Sequence, residues 1–211
     1  MHTHGRTLHS GSLYDLANKI LFLGREHNFR EYIIDLAELQ AGESVLDVGC
    51  GTGTLTLLVK QRLGESSEVV GLDASDEMLA VARRKAADKQ ASIEFHFAPV
   101  EKMPFEDDHF EVVLSSLMLH HLPVETKREG IMEIARVLRP GGRFVAVDFD
   151  LQREGLLSRI TDFISGSEML KENLNLIQRI MVEAGFTDMK KGKSGYHFIH
   201  YLTGKLENCE T

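Results

Sequence analysis

Val45-Leu46-Asp47-Val48-Gly49-Cys50-Gly51-Thr52-Gly53 joins an apolar run to a helix start through glycines at alternate positions. Glycine permits φ > 0 and leaves no Cβ between backbone and ligand, and the next helix offers unpaired N–H groups at its N-terminus. The nonapeptide therefore predicts a strand that ends in a ligand-binding loop. A dinucleotide loop has the spacing G-x-G-x-x-G; here Thr54 stands where its third glycine belongs, and the spacing is G-x-G-x-G. Asp47, just ahead of the loop, would repel a pyrophosphate and attract a sulfonium or ammonium group. Asp47, Gly49, Cys50, Gly51 and Gly53 are thus candidate cofactor-binding residues.

Outward from this loop, β-rich runs alternate with helical ones. Ser44 to Val48, Glu68 to Leu72, Ser92 to Phe97, Phe110 to Ser115 and Gly142 to Phe149 read as strands. Between the last two, Glu125 to Leu138 carries Ile131, Ile134, Ala135 and Leu138 on one helical stripe and stops at Arg139-Pro140-Gly141-Gly142. Ser75 is a good N-cap, with Asp76 and Glu77 in the first turn and Arg83, Arg84 and Lys85 toward the other end. Repeated strand-helix-strand units predict a doubly wound, mostly parallel α/β sheet that binds ligands at the carboxyl ends of its strands. Farther on, a helix over Glu168 to Ala184 precedes a hairpin of Phe186 to Lys190 and Tyr196 to Thr203, joined by Gly192-Lys193-Ser194-Gly195. Residues 1–40 form a helical segment ahead of a domain over 41–211, and Leu13 to Phe29 is expected to fold over the cofactor as a lid; docking as a permanent helix is the alternative.

Asp73 ends the second strand, 22 residues after Gly51. A carboxylate there can accept hydrogen bonds from both ribose hydroxyls of a nucleoside, although it could instead cap the next helix.

The chain has 211 residues, with 24 Lys+Arg against 32 Asp+Glu and a formal charge of −8. That length suits one domain with a small appendage and a core that needs no staples. Hydrophobic residues at 43% and charged ones at 27% exclude a disordered chain or coiled coil. Net negative charge without a basic cluster disfavours nucleic acid as a partner. The apolar run from Val112 ends at His120-His121, well short of the ~20 residues that span a bilayer. Cys50 and Cys209 make no disulfide framework, and with no signal peptide the expectation is a reducing cytoplasm. Oligomeric state is left open.

From about Tyr14 to Lys205 the sequence resembles the class I S-adenosylmethionine-dependent methyltransferases. Residues 45–53 match the family's first motif, and Asp73 its ribose-binding acid. Met103-Pro104-Phe105 with Phe110-Glu111-Val112-Val113, and Arg136-Val137-Leu138-Arg139-Pro140-Gly141-Gly142, follow in the family's order. Within that group, the segments Tyr14-Asp15-Leu16-Ala17-Asn18 and His200-Tyr201-Leu202-Thr203-Gly204-Lys205 resemble the ubiquinone and menaquinone biosynthesis C-methyltransferases. The resemblance implies a seven-stranded sheet with one antiparallel strand near an edge. It also implies S-adenosylmethionine as cofactor, S-adenosylhomocysteine as product and a small-molecule methyl acceptor. Ala74, Met78, Pro99, Val100 and Ser115 join the implied cofactor contacts; with Pro99 where many relatives have an acid, the adenine would be read by backbone near Val100. A non-catalytic binder of the same cofactor and a tRNA or protein methyltransferase remain as alternatives.

His120 and His121 follow the fourth strand at the expected site of methyl presentation, where an imidazole could take a proton or orient the acceptor. The plainer role is packing and helix capping. Tyr14 is the third catalytic candidate, its ring suited to the sulfonium side of the cofactor. No metal site is expected: His197 and His200 would lie on opposite faces of a strand, and His2, His4 and His9 lie in the terminus.

Overall fold

The strands β1 (Val45–Val48), β2 (Val69–Asp73), β3 (Glu94–Phe97), β4 (Phe110–Ser116), β5 (Leu138–Phe149), β6 (Phe186–Lys193) and β7 (Ile199–Leu206) form one sheet in the order β3-β2-β1-β4-β5-β7-β6. The computed structural model describes residues 25–150, 173–196 and 198–208. β1 to β5 pair in parallel, and β7 runs antiparallel to both β5 and β6, as the resemblance implies. The helices are α1 (Glu26–Leu36), α2 (Thr54–Leu63), α3 (Asp76–Asp88), α4 (Val124–Val137) and α5 (Asn173–Glu183), with a 3-10 turn at Leu119–His121.

Side-chain alternation along the parallel strands divides the core in two. Leu46, Val48, Val70, Val113 and Phe144 pack with Ile131 and Ile134 of α4 and with Leu174, Ile177 and Met181 of α5. Val45, Val69, Val112, Leu114 and Val145 face the other way, onto Phe29, Ile33 and Ile34 of α1 and Leu55 and Val59 of α2. These central strands are buried on both faces, the pattern of a parallel sheet covered by helices.

Element bounds shift for identifiable reasons. Leu138, expected to end a helix, already has ψ 138° and begins β5 opposite Phe110. An irregularity follows, with Gly141 at φ +76°, before Val112 pairs with Arg143. β6 runs on to Lys193, so the hairpin turn begins at Ser194 and not at Gly192. Gly192 stays in β6 because the ring of Tyr201 lies across it: a Cβ there would sit 2.6 Å from Tyr201 Cε1. Ser194 closes the turn, its N–H and Oγ–H both donating to Ile199 O.

Of the expected N-terminal helix, Glu26–Leu36 is helical and docked, with Ile33 and Ile34 fully buried. Arg143 of β5 clamps its end, donating to Ala37 O at 2.5 Å and Glu38 O at 3.0 Å and pairing with Glu43 at 2.7 Å. Tyr14, the rest of the expected lid, and residues 168–172 of the expected α5 lie outside the described residues.

Candidate functional site

The loop after β1 is tied to the end of β2 mostly through backbone. Gly49 and Cys50 both donate to Leu72 O, at 2.7 and 3.0 Å. Gly49, Gly51 and Gly53 have φ of +73°, +55° and +70°, a region that side chains disfavour. A Cβ at Gly49 would overlap Met118, which folds over the loop from the end of β4. Asp73 reaches under this loop: Oδ2 accepts from Gly51 N at 2.8 Å and Oδ1 from Ser75 N at 2.9 Å. The backbone N–H of Ala74 is a third donor, and since a carboxylate has about four acceptor positions, about one remains for a ligand hydroxyl. Burial raises the Asp73 pKa, opposed by these N–H donors. The helix cap itself is Ser75, whose Oγ accepts from Met78 N.

Asp47 is 2% exposed, and Thr56 Oγ1 donates to it at 2.6 Å. Burial raises its pKa to about 6, against the pull of Thr56 and Arg30 and with a push from the charge of Asp73. A buried carboxyl so little compensated favours a cationic neighbour. Above it lies a cavity of about 30 Å³, the size of a water molecule, lined by Asp47, Gly49, Cys50, Thr52, Thr54 and Leu55, by Phe29 and Arg30 of α1, and by Ser116 and Leu117. Arg30 pairs with Glu26 at 2.6 Å. Burial, then the charges of Asp47 and Asp73, push the Cys50 thiol up, so it stays protonated.

The other expected cofactor contacts differ in exposure. Met78 is buried in α3 and Val100 packs against α4, where a Cβ at Gly130 would lie 2.8 Å from Val100 Cγ2; both side chains serve the core. Ala74 and Pro99 are partly exposed at the same strand ends. Ser115 is 2% exposed between Val48 and Ala146, and its Oγ has no hydrogen-bond partner among the described residues. Ser116, unremarked in the sequence, is the serine that reaches the cavity.

Past β4, Leu117 adopts φ +53° and donates to Val147 O at 2.9 Å. That turn delivers the histidines. His120 is anchored to Asp148, with its backbone N donating to Oδ2 at 3.0 Å and Nδ1 lying 2.6 Å from Oδ1. His121 makes no such contact. It lies exposed beside the His120 ring, and partial burial, with repulsion from His120 second, lowers its pKa to about 4. Sequence reasoning missed Asp148 and Arg30. The signal for Asp148 was available, since it stands at the end of a parallel strand as Asp47 and Asp73 do. Among the described residues no group of three His, Cys, Asp or Glu could hold a metal, and no helix is long and apolar enough to cross a membrane.

Residues 45–142 match the methyltransferase-domain family. The ubiquinone/menaquinone biosynthesis C-methyltransferase UbiE of Pseudomonas paraeruginosa (strain DSM 24068 / PA7) is 34% identical over 197 residues, covering 82% of this chain and 76% of that protein. The chain belongs to the UbiE family of S-adenosylmethionine-dependent methyltransferases. The UbiE of Azotobacter vinelandii (strain DJ / ATCC BAA-1303) is 36% identical over 154 residues, 72% of this chain, and the match spans 60% of that relative's length. The crystal structure of a SAM dependent methyltransferase from Aquifex aeolicus superposes with a TM-score of 0.75 at 18% identity, covering 95% of this chain and all of that one, and so shares the fold. The strand ends of this UbiE-family chain fit the family's cofactor. Asp73 keeps an acceptor position open to a hydroxyl, Asp47 is a buried carboxyl with its pKa still raised despite Thr56 and Arg30, and the loop between them leaves no room for side chains.

Proposed function

We propose that the chain transfers the methyl group of S-adenosylmethionine to a small-molecule acceptor, releasing S-adenosylhomocysteine. The undercompensated Asp47 beside an alternate-glycine loop carries this reading, because a pyrophosphate cofactor would be repelled where a sulfonium or ammonium is attracted. Asp73 takes the ribose hydroxyls, and the guanidinium of Arg30, facing the same cavity, suits the carboxylate of the amino-acid tail. The adenine is read by backbone near Pro99 and Val100. With the cofactor bound, an activated methyl group is supplied; the protein holds the acceptor in line with it and keeps water away, and positioning provides much of the rate.

The relatives' name, ubiquinone/menaquinone biosynthesis C-methyltransferase, makes a reduced quinol the first acceptor to try. The formal charge of −8 disfavours tRNA, and the free Cys50 thiol suits a reducing cytoplasm. Release of S-adenosylhomocysteine is measured with prenylated benzoquinol and naphthoquinol, simple phenols, thiols and tRNA. Turnover with a small molecule is expected. Cofactor binding without release from any of them would make the chain a non-catalytic binder, and release with tRNA alone would move it to the macromolecular class.

A further inference from the structure

At the end of β5, Asp148 is buried at 1% exposure and already accepts from the N–H groups of His120 (3.0 Å) and Phe149 (2.7 Å). Its contact with His120 Nδ1, at 2.6 Å, is therefore one made by an acceptor, which leaves the imidazole proton on Nδ1. Nε2 then carries a lone pair, and it has no hydrogen-bond partner among the described residues. The ring is one-tenth exposed and braced edge-on by Phe149 at 4.9 Å between centroids. Ring, carboxylate and turn thus have little freedom.

We propose that His120 and Asp148 form a proton-accepting dyad, in which His120 Nε2 takes a hydroxyl proton from the methyl acceptor and Asp148 is the positioning residue that sets the tautomer and ring orientation. The inference rests on the methyltransferase reading and assigns the chemistry of its acceptor side. The acceptor's electron pair forms the new bond to the methyl carbon, the carbon–sulfur bond breaks with its pair going to sulfur, and the hydroxyl proton passes to Nε2. The resulting imidazolium is stabilised by Asp148 through Nδ1–H and later returns its proton to water. The acceptor is accordingly a compound with a weakly acidic hydroxyl, either on the oxygen methylated or conjugated with the carbon that attacks.

His121 does not serve equally: among the described residues no carboxylate hydrogen-bonds to its ring, and Asp148 is committed to His120. The backbone that carries Asp148 is held from behind. Lys127 of α4, 2% exposed, donates to Asn173 Oδ1 at 2.5 Å, and Asn173 Nδ2 donates to Phe149 O at 3.2 Å. The other ionisable groups near the dyad are His121 on the 3-10 turn, His200 directly opposite Asp148 on β7, and Asp150 with its Lys191 partner from β6.

The test begins on the ligand-free protein with 15N-labelled histidine. NMR shifts should report the Nδ1–H tautomer for neutral His120, and Asp148→Asn should convert it wholly or partly to Nε2–H; an Nε2–H tautomer in the unaltered protein overturns the dyad. With a prenylated naphthoquinol as acceptor, His120→Gln should lower turnover by ~10²-fold or more. Asp148→Asn should lower it by about tenfold or more and displace the acid limb of the pH profile, while S-adenosylhomocysteine affinity stays unchanged in both variants. Asp148→Glu should restore part of the rate. If Asp148→Asn keeps the original rate and pH profile, Asp148 is merely structural. Should that variant fail to fold, the tautomer of the unaltered protein and the turnover of His120→Gln still decide. Calorimetry of S-adenosylhomocysteine separates this failure from that of the methyltransferase reading: the cofactor then binds and the dyad alone is wrong.

Discussion

The end of β1 and the end of β5 each bury an aspartate at the ligand edge of one sheet, but the two carboxylates differ in what the protein already gives them. Asp47 has Thr56 as its hydrogen-bond donor and a pKa raised to about 6. Asp148 accepts from His120 twice and from Phe149 once, at 2.6 to 3.0 Å. A buried carboxylate short of donors favours a ligand that brings positive charge, whereas a satisfied one holds another side chain in place. Asp73, with backbone donors from Gly51, Ser75 and Ala74 and an acceptor position to spare, stands between them. Around Asp47 and Asp73 the strand ends present mostly backbone; around Asp148 they present side chains.

Substitutions can break this contrast, and the largest effect is expected in the backbone half. Gly49→Ala puts a Cβ at φ +73° and into Met118. It should cost about 3 kcal/mol of stability, from the left-handed penalty plus overpacking, and abolish detectable cofactor binding. Chemical denaturation and calorimetry measure the two losses. Gly64→Ala, at φ +82° and ψ −179° with open space around it, carries a backbone penalty of its own without the clash, and should spare binding.

Next comes the pH dependence of Asp47. Its folded pKa, about 6, lies above the ~3.9 of an unfolded aspartate, so the folded state binds the extra proton between those values. Stability should therefore fall as pH rises from 4 to 6, by at most ~3 kcal/mol from this group. Asp47→Asn should flatten that part of the profile and weaken S-adenosylmethionine binding, so the ligand-free protein gains where the complex loses. An unchanged profile would mean that the carboxyl is better compensated than its contacts indicate.

Asp73→Ala should weaken cofactor binding by ~1.5–3 kcal/mol, the scale for losing charge-assisted hydrogen bonds. The loop loses the acceptor for Gly51 N as well, so 5′-methylthioadenosine, which keeps the ribose but lacks the amino-acid tail, should suffer a similar loss. Equal affinity for both proteins would remove Asp73 from the ribose site.

The smallest effect belongs to His121. Its pKa of about 4 lies below the ~6.5 of an unfolded histidine, so the unfolded state takes up a proton first and stability is lost as pH falls between those values. Because the ring is exposed, solvent screens the effect. His121→Gln should lessen the decline on acidification seen in thermal unfolding, and it should leave turnover far closer to normal than His120→Gln does.

The same contrast explains what the sequence disclosed. The alternating strands and the β1 loop were legible because they rest on period and on glycine spacing, which are local, whereas the antiparallel strand came from the family resemblance. Asp73 was legible as a candidate because it closes the strand after the loop. His120 was legible as a candidate and indistinguishable from His121, since what separates them is Asp148, 28 residues away and brought beside His120 by the pairing of β4 with β5. The packing of Val100 was not legible, because its side chain meets the gap left by Gly130 on a helix 30 residues away. Gly192 misled: it reads as a turn, and it serves a tyrosine ring on the neighbouring strand.

Calorimetric titration of S-adenosylmethionine into the protein at pH 5 and pH 7 tests most directly the claim that Asp47 lies ready for a cationic ligand. The cation of the bound cofactor should lower the Asp47 pKa, so micromolar binding is expected at pH 7, weaker binding at pH 5, and proton release near pH 6. Binding of equal strength at both values, with no proton released, would contradict the role of Asp47. No heat at millimolar cofactor, together with a rise in melting temperature on adding NADH, would overturn the account altogether.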